Sequence, residues 1–222
     1  MNFDASRMLS FDLETTSVKP KEARIVTSAL VRIDGRDVDA REMLADPGVP
    51  IPEEAAVVHG ITTEKAQAEG LPHDEVLAET VSAIKQAWAD GLTLIVYNAQ
   101  YDLSVLRALT GDFTVDGPVF DPFVIDRVMD KFRKGKRTLT DVSAHYGVEI
   151  GNAHEATADA LAAARVAWKQ VRKFPELTEM DMDELMEFKA VKWHEDRLSF
   201  KKYLEGKGRD ASDVSTAWPM IS

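Results

Sequence analysis

The chain of 222 residues predicts an α/β domain built on a mixed sheet. Three observations carry that expectation. Apolar, β-branched runs joined by a tight turn near the N-terminus read as antiparallel strands. Strand-like and helix-like stretches then alternate, the mark of parallel strands with crossover helices. A hydrophobic fraction of 45% beside 29% charged residues is that of a globular chain rather than a disordered one.

Met8–Leu13 is a short apolar run that ends in acids. Arg24–Ile33 is apolar and β-branched, and Asp34-Gly35-Arg36 offers a turn into Asp37–Leu44, which predicts an antiparallel pair. Pro47 to Pro52 is a proline-punctuated loop. From Asp74 to Trp88 apolar residues recur at helical spacing, and Asp90-Gly91 ends the helix. Thr93–Tyr97 reads as a buried strand, followed by a helix through Leu103, Leu106 and Leu109. Asp121-Pro122 has the form of an N-cap with proline at the first helical position. Further helices are expected at Leu139–Tyr146, Thr157–Val171 and about Asp183–Glu205. No internal repeat or low-complexity segment interrupts them.

Residues 1–175 form the expected main domain, and 176–222 a C-terminal helical extension. The extension is rich in charge, with a thin apolar stripe of Leu185, Phe188, Val191, Trp193, Leu198, Phe200 and Tyr203. Its tip, Trp218-Pro219-Met220, must either dock on the domain or meet a partner.

Composition narrows function. With no cysteine, a disulfide scaffold, a Cys-ligated zinc site, a thiol nucleophile and an iron–sulfur centre are excluded. No apolar run approaches the roughly 18 residues of a membrane span, and MNFDASRM lacks a secretory pattern. A cytoplasmic protein without membrane contact is the expectation. The net charge of −11 opposes casual binding to nucleic acid. It leaves room for an enzyme whose acids hold metal ions, because the metals reverse the local sign.

Three groups of residues carry chemistry. In Phe11-Asp12-Leu13-Glu14-Thr15-Thr16, strand alternation puts Asp12 and Glu14 on one face, where two carboxylates repel unless a cation lies between them. Oxygen ligands of that kind suit Mg²⁺ or Mn²⁺. Tyr97-Asn98-Ala99-Gln100-Tyr101-Asp102 stands at a strand-to-helix junction, where Asn98 could simply cap the helix and Asp102 favour its dipole. His154-Glu155-Ala156-Thr157-Ala158-Asp159 runs into an apolar helix. Each alone is weak; what matters is the ordered set.

Asp12-x-Glu14, Asn98-x-x-Tyr101-Asp102 and His154-x-x-x-x-Asp159 together resemble the DEDDh family of 3′–5′ exonucleases, which includes proofreading subunits of bacterial replicative polymerases and some RNA-trimming enzymes. The resemblance runs from about Met8 to Lys173. It includes Val58-His59-Gly60-Ile61-Thr62, similar to the family's H-G-I-T loop, then Phe120-Asp121, and Leu139-x-Asp141 through Tyr146-Gly147. Tyr97 departs from the pattern, since many members have His before the Asn of the second motif.

The resemblance implies a ribonuclease H-like fold, with three antiparallel strands and then parallel ones flanked by helices. It implies release of nucleoside 5′-monophosphates from the 3′ end of a single strand, with two divalent metal ions stabilising the attacking and leaving oxygens. By the same resemblance Asp12 would bridge the ions, Glu14 and Asp159 would complete the site of the attacking water, and Asp102 would support the second ion. His154 would be the general base, a role suited to an imidazole that titrates near neutrality. The Leu13 backbone and Thr15 would hold the 3′-terminal nucleotide, with Asn98, Tyr101 and His154 beside it. Tyr101 could stack or only fill the core, and His59 has both a structural and a functional reading.

The window Lys131 to Arg137 holds five positive charges and no acid, either a guide for the phosphate backbone or a solvated loop. DNA as substrate leads, with RNA or short oligonucleotides as the alternative. A non-catalytic nucleic-acid-binding module is the reading from another class, and a polymerase or other protein partner for the extension stays open.

Overall fold

The computed structural model describes residues 2–151 and 155–221. In chain order the elements are β1 (Arg7–Thr15), β2 (Ile25–Asp34), β3 (Asp37–Asp46), α1 (Glu53–His59), α2 (Thr63–Glu69), β4 (Leu71–Pro72) and α3 (His73–Ala89). Then come β5 (Thr93–Ile95), α4 (Ala99–Thr110), β6 (Val119–Phe120), α5 (Pro122–Met129), α6 (Leu139–Tyr146), α7 (Ala156–Lys173), α8 (Glu176–Glu179) and α9 (Met182–Gly206). The sheet order is β4-β3-β2-β1-β5-β6. β1, β2 and β3 are antiparallel neighbours, while β5 runs parallel to β1 and β6 to β5. This is the mixed sheet expected from the sequence.

The β2–β3 turn places Gly35 at φ 67°, a backbone region that glycine enters without strain. The matched stretch Val58–Thr62 covers the end of α1 and the corner before α2, two short helices that the sequence reading did not anticipate. Gly60 closes α1 in the left-handed conformation, and the Thr62 side chain caps α2 by accepting from Lys65 N. At Gly70 a Cβ would lie 2.4 Å from Ala66 O and 2.5 Å from Asp46 N, so only glycine lets α2 end against β3.

Alternation along β1 decides where everything else goes. Leu9, Phe11 and Leu13 point into a core shared with Val76 and Ile84 of α3 and Leu103 and Leu106 of α4. The opposite face meets α7. Its small residues Ala156 and Ala160 pack on Ala29 and Val31, and Ser10 Oγ donates to Ala160 O at 2.6 Å. Alanines at this interface let the helix lie close on the strands. The residues of β1 that face α7 are the even-numbered ones, including Asp12 and Glu14.

The C-terminal extension turns back onto the domain. Trp193 of α9 and Trp218 are buried in the same cluster as Phe11 and Leu103. Trp193 Nε1 donates to Ala217 O at 3.0 Å, and Ile221 N donates to Ser104 Oγ on α4 at 2.8 Å. Of the expected apolar stripe, Leu185 and Trp193 are buried, whereas Val191, Leu198, Phe200 and Tyr203 are exposed. Those four were expected to pack. They lie off the face of α9 that meets the domain, and Arg197 covers part of the gap by resting over the rings of Trp193 and Phe200. Among the described residues no helix is long and apolar enough to cross a membrane.

Lys189 of α9 is fully buried, its Nζ donating to the Val119 carbonyl and lying over the rings of Phe120 and Trp218. Burial pulls its pKa down to about 7, although nearby Asp121 opposes the shift. Below pH 7 the ammonium is charged in both folded and unfolded chains and the burial cost is present in full. Between about 7 and the ordinary lysine value of 10.5 the unfolded chain holds a proton that the folded chain has lost, so stability rises with pH across that window. Lys189→Met is therefore expected to melt at or above the wild-type temperature at pH 7, with its relative advantage shrinking by pH 10. Thermal unfolding of both proteins at the two pH values checks this; an advantage that grows with pH would contradict it.

Candidate active site

β5 ends at Ile95, opposite Ser10, so the last residues of β1 run on past their parallel neighbour. The crevice beyond those carboxyl ends is where open α/β sheets place their sites. Asp12 and Glu14 project from this free end, and Asp159 enters from the first turn of α7. One carboxylate oxygen from each of the three lies within 4.8 Å of the others. Acids so close raise the proton affinity of Asp12 and Glu14. Burial, then Asp102, Glu14, Asp159 and Glu42, push Asp12 well above the usual carboxylate range. Burial, then Asp159 and Glu42, push Glu14 up to about 7.

Glu42 had no part in the expected site. Its place follows from the strand register: Asp12 pairs with Ala29, and Ala29 with Glu42, so the two acids share a face across small Ala29. The Glu42 carboxylate accepts from Thr157 N at 3.0 Å and from Thr157 Oγ1 at 2.6 Å, tying the start of α7 to β3 two residues before Asp159. Only the strand pairing brings it there.

Asp102 stands outside the cluster of three but beside it. It is buried, and its Oδ1 accepts from Leu13 N at 3.3 Å. Burial raises its pKa, while the hydrogen bond from Leu13 opposes the shift. The helix that carries it begins in an unusual way. Asn98 is the one non-glycine among the described residues at positive φ, 65°, and its side chain makes no cap hydrogen bond. The capping role open to Asn98 in the sequence belongs instead to Asp121. That carboxylate accepts from Asn98 N at 3.0 Å and Ala99 N at 2.9 Å, and also caps its own helix through Phe123 N at 3.0 Å and Val124 N at 3.4 Å. Trp218 Nε1 adds a donor at 3.2 Å. One buried acid thus caps two helices and holds the C-terminal tail. The Asn98 side chain, relieved of capping, lines the cavities of the site.

Two cavities adjoin here. One of about 360 Å³ holds Asp12, Glu14, Asp102 and Asp159, with Tyr97, Phe123, Arg137 and Thr138 among its walls. A larger one of about 900 Å³ runs past Thr15 to Val49, Val58 and His59. Leu13, Glu14, Asn98 and Tyr101 line both. Tyr101 packs its ring against the main core, and its hydroxyl lies within hydrogen-bond reach of Thr15 Oγ1 and the Ser17 carbonyl. His59 is buried, with Nδ1 accepting from Ile61 N at 3.2 Å, so it orders the His59-Gly60-Ile61-Thr62 corner while lining the larger cavity. His154, the expected general base, lies outside the described residues.

The basic window divides in two. Arg133 and Arg137 turn inward onto the buried carboxylate of Asp126, Arg133 Nη2 at 2.8 Å. Lys131, Lys134 and Lys136 remain exposed, as does Phe132. Five charges in the sequence become three at the surface, because an acid on α5 takes up the two arginines.

A family model described as "Exonuclease" (RNase T type) matches residues 9–167, from the middle of β1 through most of α7. The chain belongs to this exonuclease family. A PolC-type DNA polymerase III from Clostridium perfringens is 30% identical over 179 residues, covering 79% of this chain and 12% of that protein. A DNA polymerase III subunit epsilon-like protein from Rhodobacter capsulatus is 32% identical over 176 residues, covering 72% and 23%. The chain therefore spans less than a quarter of the length of these relatives. Among solved structures, E. coli exonuclease I in complex with a dT13 oligonucleotide aligns with a TM-score of 0.63 and 21% identity, over 78% of this chain and 43% of that one. At that identity the likeness concerns the fold, and it agrees with the ribonuclease H-like order of strands found here.

Exonucleases of this family depend on metal ions, and the residues present fit such a group. The cluster offers hard oxygen donors only, from three half-buried carboxylates whose mutual repulsion a divalent cation would relieve.

Proposed function

We propose that this chain is a divalent-metal-dependent 3′–5′ exonuclease that removes nucleoside 5′-monophosphates from the 3′ end of single-stranded DNA. The observation that carries the reading is the trio Asp12, Glu14 and Asp159 at the floor of a cavity, with Asp102 alongside. Asp12, Glu14 and Asp159 would hold the ions, two Mg²⁺ or Mn²⁺, and Asp102 would support the second. When bound, the ions offset the charge that builds up on the phosphate oxygens and make water a better nucleophile.

The chain's own residues supply the rest. His154, five residues before Asp159 on the approach to α7, takes the proton from the attacking water. The terminal nucleoside occupies the larger cavity, a space of the size small-ligand sites have. Asn98, held in place through Asp121, faces the sugar. Thr15 and Tyr101, bonded to each other, keep the edge between the two cavities fixed, and Leu13 links the nucleotide side to Asp102 through its backbone.

DNA is favoured over RNA because the relatives are named as DNA polymerase III proteins and the solved neighbour holds dT13. The same chemistry on RNA or short oligonucleotides is the second reading. A non-catalytic binding module is disfavoured by the retention of all four acids in one place. Residues 1–175 then form the catalytic domain and 176–222 an extension that steadies α4, with a polymerase as a candidate partner for its exposed face.

The test uses 5′-labelled single strands of DNA and RNA, incubated with Mg²⁺, Mn²⁺ or EDTA. A ladder that shortens from the 3′ end only with metal supports the reading, and its rate on the two strands settles the sugar. Persistence of both strands under every metal would overturn it.

A further inference from the structure

The loop between α5 and α6 presents an aromatic ring to solvent on a rigid support. Phe132 is 90% exposed, far more than any other phenylalanine of the chain. Its neighbours Lys131, Lys134 and Lys136 are exposed too, a positive island on a protein of net charge −11. A loop with a bare phenylalanine and free lysines would ordinarily be mobile. This one is pinned from beneath. Arg133 and Arg137 are largely buried on Asp126, Arg137 also donates to Asp126 O at 2.8 Å and Asp130 O at 2.7 Å, and Tyr97 OH donates to Arg137 O at 2.7 Å. The loop leads directly into the wall of the metal-binding cavity, which Arg137 and Thr138 line together with Asp12 and Asp159.

We propose that residues 131–136 form a binding site for the strand upstream of the nucleotide being removed. Phe132 is a stacking platform for a base, and Lys134 and Lys136 contact phosphates. Lys131 lies toward Glu195 of α9 and contributes less. An aromatic face beside cations is the pairing that holds single strands without reading their sequence, since every base has a π-face and every link a charge. The two arginines do not touch the strand; they fix the platform at a set distance from the catalytic acids. The inference rests on the exonuclease reading and adds a second, upstream subsite to it.

Steady-state hydrolysis of a dinucleotide and of a single-stranded DNA 12-mer tests it, with the full chain as wild type, Phe132→Ala, Phe132→Tyr and the double variant Lys134→Ser, Lys136→Ser. Only the longer strand reaches the loop. For Phe132→Ala the ratio of kcat/KM for the 12-mer to that for the dinucleotide is expected to fall about tenfold, through KM, and Phe132→Tyr to restore it. The double lysine variant is expected to reduce the slope of log affinity for the 12-mer against log salt by about 1.4, some 0.7 per lost phosphate contact. An active wild type whose length preference and salt slope survive these substitutions overturns this inference alone. A wild type inactive on both lengths defeats the exonuclease reading and this inference with it.

Discussion

Asp12→Asn is expected to abolish nuclease activity and at the same time raise the melting temperature of the metal-free protein at neutral pH. Asp12 is surrounded by Asp102, Glu14, Asp159 and Glu42, and burial weakens the screening between them. Two unit charges at the separation of this cluster repel by roughly 3 kcal/mol at an effective dielectric of about 20, less where water reaches them. The sign of the pH dependence follows. Glu14 is pushed up to about 7 in the folded chain from the ordinary 4.5, so between those values the folded protein binds a proton that the unfolded chain has released. Stability of the metal-free protein therefore falls as pH rises from about 4.5 to 7. Asp12 is itself pushed well above the usual carboxylate range, so an amide at position 12 removes its own share of that fall. It also removes one of the three carboxylates proposed to hold the ions, for which a loss of roughly 10³-fold or more in rate is expected. Scanning calorimetry in EDTA and in Mn²⁺ is the check. Wild type should gain stability from the ion as mass action requires, and the variant should gain little. A variant that is less stable than wild type in EDTA at pH 7 would mean that the acids are held by something other than a cation.

The second large effect belongs to a residue outside the expected catalytic set. Asp121→Ala strips the caps from α4 and α5 together and leaves the indole of Trp218 without its acceptor. Losing a helix cap costs about 1 kcal/mol, and each buried donor left without a partner adds about 1–3 kcal/mol. A loss of roughly 3–5 kcal/mol in urea unfolding is expected. Activity should fall further than the folded fraction accounts for, because Asn98 at φ 65° keeps its conformation only while its amide is held. The comparison is made at a urea concentration where both proteins are folded. A stability loss below about 1 kcal/mol would show that water replaces the carboxylate, and normal turnover would free Asn98 from its assigned place.

Much of the architecture was legible because local and tertiary signals agreed. The two-residue turn at Gly35, the helical period from Val76 to Trp88 and the Asp121-Pro122 start of α5 each state their geometry within a few residues. The candidate acids of β1 were legible for another reason: alternation along the strand puts Asp12 and Glu14 on one side whatever surrounds them. Features made only by long-range contact were not visible. α1 and α2 are a turn or two long and are held by their packing under β3, so neither shows a long apolar period. Glu42 reads as one more charge on a solvent-facing strand until the register sets it level with Asp12. The lysines and arginines of 131–137 look equivalent until Asp126 selects two of them. Phe200 and Tyr203 keep the helical spacing of packing residues, but the face of α9 that carries them is left exposed.

The sheet order sets when the trio of acids can assemble. β1 emerges early during synthesis, yet it must wait for β5 to pair on its far side and for α7 to bring Asp159 from almost 150 residues downstream. The acids of β1 alone are a repelling pair on an unfinished strand, with no third ligand to draw in a cation. Contacts so distant in sequence form slowly and late. On the exonuclease reading proposed above, a nascent or truncated chain that lacks α7 keeps Asp12, Glu14 and Asp102 but not Asp159, so the trio is incomplete and cleavage is expected only from molecules whose whole domain has closed.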